Sequence, residues 1–145
     1  MTDKKRETLR AYDDIQTKEA TTYRPENLEE LKELVKGFAS KSEKLVGRGA
    51  GHSFDGHALE GAVVYLSADA FQFIDEIKTV EDNLAHIEVG AGVTWGRLLA
   101  HVEEKGWIPF SVVTSSNATV GGTLAAHCLS RFSGVFGKEG DHVVW

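Results

Sequence analysis

Glycine falls in two tight runs in this chain, and those runs limit what the rest can fold into. The first reads Val46-Gly47-Arg48-Gly49-Ala50-Gly51-His52-Ser53-Phe54; the second reads Asn117-Ala118-Thr119-Val120-Gly121-Gly122-Thr123-Leu124-Ala125-Ala126. A residue without Cβ lets a ligand come against the main chain, and successive bare N–H groups form a concave nest for an anion. Lys44-Leu45-Val46 reads as a short strand feeding the first run, so the nest opens at a strand end and suits a diphosphate, with Arg48 adding a cationic contact. The dinucleotide fingerprint needs a helix directly after its third glycine. Here that glycine comes one place early, and residues 53–57 lead to another strand, Ala62-Val63-Val64-Tyr65-Leu66. A Walker loop is excluded as well, because no Gly-Lys-Ser/Thr occurs. Spacing alone leaves open a glycine-rich turn with no ligand at the first run, and at the second a helix start whose glycines only permit close packing.

Around these runs the pattern is regular. Thr21-Thr22-Tyr23-Arg24 reads as a strand ended by Pro25. Asn27, with Glu30 three places on, has the form of a capping box, and Leu28, Leu31, Val35 and Phe38 recur at helical spacing as one buried face. Residues 71–79 and 86–89 read as strands about the turn Glu81-Asp82-Asn83. A second helix is expected from Thr94, with apolar face Trp95, Leu98, Leu99 and Val102 and its end at Gly106. A short helix is expected over residues 120–126, and the apolar run 142–145 reads as a terminal strand. A chain that stops inside a strand reads as a piece of a longer protein. Residues 1–19 are polar and aperiodic, and read as a loosely attached leader. The order gives an α+β fold with mixed strand pairing, not the strict alternation of a doubly wound sheet.

With 145 residues there is enough chain for one domain with a real core. The net charge of -6 and the pI near 5.5 argue against nucleic acid and against a polybasic membrane role. Cys128 is the single cysteine, so no internal disulfide forms; with no secretory signal and no membrane span in the sequence, a cytoplasmic location is expected. Among the six histidines, His52 and His57 are five apart, and no carboxylate or cysteine completes a zinc pattern, so no metal site is expected.

The loop Gly51-His52-Ser53, preceded by Gly47-Arg48-Gly49, resembles the FAD-pyrophosphate loop of the vanillyl-alcohol-oxidase family, the p-cresol-methylhydroxylase-type flavoproteins. Ala118-Thr119-Val120-Gly121-Gly122-Thr123-Leu124 resembles that family's second FAD segment. Tyr23-Arg24-Pro25-Glu26-Asn27-Leu28-Glu29-Glu30-Leu31 resembles its opening strand and helix, and Val89-Gly90-Ala91-Gly92-Val93-Thr94-Trp95 the turn between the two loops. The resemblance runs through residues 20–145 in order. It implies two small subdomains with FAD held between them, cut short at the carboxyl end and without the substrate domain. The residues it implies for the cofactor are Gly47, Arg48, Gly49, Ala50, Gly51, His52 and Ser53, then Asn117, Thr119, Val120, Gly121, Gly122 and Thr123, then His142 and Val143.

In several members a histidine at the place of His52 is bonded covalently to the flavin 8α-methyl carbon, and in others it only lines the pocket; both stay open here. A second bond through cysteine is not expected, because Asn117 stands at that position. Where many relatives have His-Gly, this chain has Leu129-Ser130, so the family's contacts do not transfer there. The implied chemistry is hydride transfer from an alcohol-type small molecule, such as a sugar, lactone or alditol, to flavin N5. Dioxygen or another acceptor then takes the electrons, and the catalytic base lies outside this chain. The rival is a nucleotide-binding or non-catalytic module that keeps the fold without flavin chemistry.

Overall fold

The computed structural model describes residues 2–54 and 56–144, in two compact units, Met1–Phe71 and Gln72–Trp145. The first unit is built on a four-stranded sheet in the order β1-β2-β4-β3. β1 (Asp3–Arg10) and β2 (Thr17–Arg24) form an antiparallel hairpin in continuous register from Asp3 opposite Arg24 to Arg10 opposite Thr17. β4 (Ala62–Val64) runs parallel to β2 and to β3 (Leu45–Gly47). The pairing is mixed, as the α+β expectation requires.

The expected polar leader is not a leader. Asp3–Arg10 is the edge strand of this sheet, and Leu9 and Ala11 are buried with Ala20, Leu59 and Val63. The strand escapes a search for alternation because it offers one face little to bury. It is held by the ladder and by side-chain pairs instead: Arg24 Nη2 lies 3.1 Å from both Glu7 carboxylate oxygens, and Arg6 Nη2 lies 3.0 Å from Glu19. Charged residues on an edge strand also deter pairing with another sheet.

Helix α1 (Leu28–Ser40) starts where expected, with Asn27 Oδ1 accepting from the Glu30 amide at 2.9 Å. The Glu30 carboxylate accepts from the Glu26 amide at 3.2 Å, one place before the cap, and this bond holds its carboxyl below the ordinary value. The buried face is not the one expected. Leu31, Leu34 and Phe38 are half-buried, whereas Leu28 and Val35 are 54% and 49% exposed. Phe38 packs edge-on against Tyr23, 5.5 Å between ring centres, which turns the helix toward Leu34 and away from Val35.

The second unit packs around Val93, Trp95, Leu98, Val102, Val113 and Ala118. Helix α2 (Trp95–Glu103) supplies three of these, each burial stabilising by about 1.5–3 kcal/mol. Thr94 caps it, accepting from the Arg97 amide, and Gly106 and Trp107 close it by donating to Glu103 and Val102. β5 (Lys78–Glu81) and β6 (Leu84–His86) make a short antiparallel pair with an irregularity at Thr79/Glu81. The longer strands expected over 71–79 and 86–89 shrink to this pair and one bridge, Ile74 opposite Val89. Helix α3 (Val120–Ala125) begins at Val120 as expected, with Thr119 as its cap, and α4 (Ser133–Phe136) follows. The terminal strand does not form over 142–144. Lys138 N–H donates to Asp141 Oδ2 at 2.7 Å, which curls Glu139–His142 into a 3₁₀ turn; Trp145 lies outside the described residues.

Candidate functional site

The first glycine run leaves the sheet at the carboxyl end of β3, where Arg48 N–H bonds the Val64 carbonyl at 2.9 Å. Strand ends of parallel sheets are where ligands of such folds bind. Beyond Arg48, no amide of residues 49–53 donates a hydrogen bond to another described residue. Nothing lies within 4 Å of where a Cβ on Gly47 would stand, so space beside the main chain is open there. Gly51 turns the loop at φ +80°, a conformation that side-chain-bearing residues avoid. These are the properties of an anion cradle, and they fit a diphosphate.

The expected cationic contact is partly committed elsewhere. Arg48 Nη2 donates to the Arg10 carbonyl at 2.6 Å, and its guanidinium lies over Gly51. The His52 ring makes an edge-to-face contact with Tyr12, 5.1 Å between centres, and its nitrogens bond to no described residue. Ser53 accepts from the Tyr12 amide at 3.1 Å. Gly47, Arg48, Gly49, Ala50, Gly51, His52 and Ser53 thus form one contiguous loop of the first unit.

The second run is built differently. Val120 N–H donates to Val93, Gly121 N–H to Ala91, Gly122 N–H to Thr119 Oγ1 and Thr123 N–H to the Thr119 carbonyl. A Cβ on Gly121 would stand 2.7 Å from Ala91 Cβ and 2.9 Å from its carbonyl oxygen. The bareness of Gly121 serves packing of α3 against the 90–93 turn. Asn117 is exposed, and Thr119 and Val120 are half-buried.

Thr123 anchors a buried polar chain that the sequence did not disclose. Its hydroxyl accepts from Trp95 Nε1 at 3.0 Å and donates to Glu139 Oε1 at 2.8 Å. Glu139 is 5% exposed, and its Oε2 has no hydrogen-bond partner among the described residues. Burial pushes its carboxyl above the ordinary value, and the Thr123 hydroxyl opposes this in part. Burial, and then the Glu139 charge, raise the Cys128 thiol. No local signal marks Glu139; only the 3₁₀ turn brings it beneath α3.

His142 stacks on Phe110, 4.9 Å between centres, with Nε2 at 2.6 Å from the Phe136 carbonyl, and Val143 is half-buried beside it in sequence. An open concavity of the second unit is lined by Trp107, Ile108, Phe110, Phe132 and Phe136, and includes none of the glycine-run residues. Among the described residues no helix is long and apolar enough to cross a membrane, and no group of three potential metal ligands occurs.

Cytokinin dehydrogenase 3 of Oryza sativa subsp. japonica is 35% identical over 83 residues, which is 56% of this chain and 16% of that protein. A cholesterol oxidase from B. sterolicum superposes with a TM-score of 0.73 at 13% identity, over 89% of this chain and 25% of its own. A solvent-stable cholesterol oxidase gives a TM-score of 0.75 at 20% identity, over 87% and 24%. This chain therefore spans a quarter or less of the length of these relatives. At such identities the solved structures speak for the fold alone, which is mixed α+β. The sequence profile of the FAD binding domain matches residues 20–145, and the chain belongs to that family, whose cofactor is FAD.

Proposed function

We propose that the chain is the cofactor-holding part of a flavin-dependent oxidoreductase, with the loop at residues 47–53 as its pyrophosphate cradle. The observation that carries this is the run of amides at 49–53 that donate to no described residue, beside open space at Gly47, within the stretch that matches the FAD binding domain. Unpaired N–H groups cost little at the surface, and each gains a charge-assisted hydrogen bond when a phosphate arrives. When bound, FAD would supply the hydride acceptor for an alcohol-type small molecule, its N5 being the accepting atom, with dioxygen or another acceptor as the final sink for the electrons. Gly51 keeps the turn that aims the amides, and Arg48 places positive charge at the loop.

His52 stands at the cradle with ring nitrogens that bond to no described residue, and it is the candidate for a covalent link to the flavin 8α carbon, a step in which that carbon and the imidazole would each give up a proton and the flavin would take up the electron pair before an acceptor reoxidises it. Asn117, Thr119, Val120, Gly121, Gly122, Thr123, His142 and Val143 are proposed as further residues that serve FAD binding. Their amides at 120–123 are already bonded, so they serve by shape and by side chain. A sugar, lactone or alditol is the favoured substrate class, and a cytoplasmic location fits the lone cysteine.

Titration of the purified chain with FAD, followed by flavin fluorescence and by flavin retained after gel filtration, tests this reading. Stoichiometric binding that a Gly47→Leu change weakens at least tenfold, with unfolding unchanged, is expected. No retained flavin overturns it and leaves a module that keeps the fold alone. Acid precipitation then decides the link: flavin that stays in the pellet for the wild type and is released in His52→Ala is covalently held.

A further inference from the structure

We infer that the tip of the amino-terminal hairpin, through Tyr12, is the positioning element of the His52 imidazole; the inference rests on the reading of residues 47–53 as a FAD cradle. Tyr12 lies outside the stretch that matches the family, which begins at residue 20. Three ties join the hairpin tip to the cradle. Tyr12 N–H donates to the Ser53 carbonyl at 3.1 Å, the Arg10 carbonyl accepts Arg48 Nη2 at 2.6 Å, and the Tyr12 ring stands edge-to-face to His52 at 5.1 Å and 89°. Phe54 also packs edge-on with the tyrosine, 5.1 Å between ring centres at 69°.

The tip is held by local hydrogen bonds. Ala11 N–H bonds Gln16, Asp14 N–H bonds Ala11, and Ile15 N–H bonds Asp13 Oδ1, with Ala11 buried beneath. Tyr12 therefore hangs from a fixed support although its residue is 56% exposed. An imidazole oriented by a hydrogen bond surrenders a nitrogen to its partner. One oriented by ring packing keeps both, and His52 is oriented by ring packing. Fixing the ring before the ligand arrives removes an ordering cost from binding. Tyr12 is thus a positioning residue, acting on the flavin through His52.

The experiment compares Tyr12→Ala and Tyr12→Phe in the full chain, each alone and on a His52→Ala background. FAD affinity is measured by fluorescence titration, and the His52 ring signals of the FAD-free protein by NMR. An edge-to-face pair of this kind predicts about two- to tenfold weaker FAD binding for Tyr12→Ala. Tyr12→Phe, which keeps the ring, should restore wild-type affinity, and Tyr12→Ala should cost nothing further once His52 is alanine. The His52 ring signals should move in Tyr12→Ala and stay in Tyr12→Phe. Unchanged affinity in Tyr12→Ala, or an equal loss without His52, overturns the inference, and so do ring signals indifferent to Tyr12. If the wild type takes up no FAD, the cradle reading fails by itself; the ring signals then decide whether Tyr12 orients His52.

Discussion

The two glycine runs have similar composition and opposite uses. At residues 49–53 the amides donate to no described residue, and a Cβ on Gly47 would meet nothing within 4 Å among them. At residues 120–123 every amide is bonded within the chain, and a Cβ on Gly121 would drive into Ala91. Glycine therefore marks close approach to a main chain without telling what approaches. In the first run the structure leaves room for a ligand; in the second the approaching group is the chain itself.

The largest effect expected from this contrast is at Gly121. Gly121→Val forces a side chain into a contact of 2.7 Å and should destabilise the protein by about 3 kcal/mol. Urea unfolding checks it; a loss of FAD affinity without loss of stability would break the comparison. Next is the polar chain behind the second run. Thr123→Val leaves Trp95 Nε1 and Glu139 without their shared partner and should cost about 1–3 kcal/mol by the same measurement.

The carboxyl of Glu139 sharpens the same contrast through pH. Its folded pKa lies above the ordinary 4.5 because of burial. The folded state then binds more protons than the unfolded one between the two values, so this group's contribution is full below the unfolded pKa. It is lost as pH rises through the folded pKa. Glu139→Gln should remove that decline, so the stability difference between variant and wild type grows in the variant's favour from acid toward neutral pH. Thermal unfolding across that range checks it, and a difference that does not change with pH would refute the burial argument. The smallest effect is at the cap: Thr119→Ala removes the acceptor of the Gly122 amide and should cost about 1 kcal/mol, with any loss of FAD affinity no greater than the loss of stability.

Much of the frame was legible in the residues. Asn27 and Thr94 announce the helices they cap because a cap is a contact between near neighbours in sequence. The face of α1 was misread at Leu28 and Val35 because Tyr23, which lies outside the helical period, sets the rotation through Phe38. In the candidate site, the loop around His52 was visible as a motif. Its neighbour Tyr12 was not, since a polar hairpin with little alternation shows no sign of pairing with β2.

What the sequence by itself determined is local: where the helices begin, that the 47–53 run follows a strand, and that no helix follows it. Only the tertiary structure decided which glycine faces open space, that residues 3–10 complete a sheet, and that Glu139 is buried. Those outcomes depend on contacts between residues far apart in the chain. Burial, pairing and free amides are properties of the partner as much as of the residue, and no short window of sequence contains the partner.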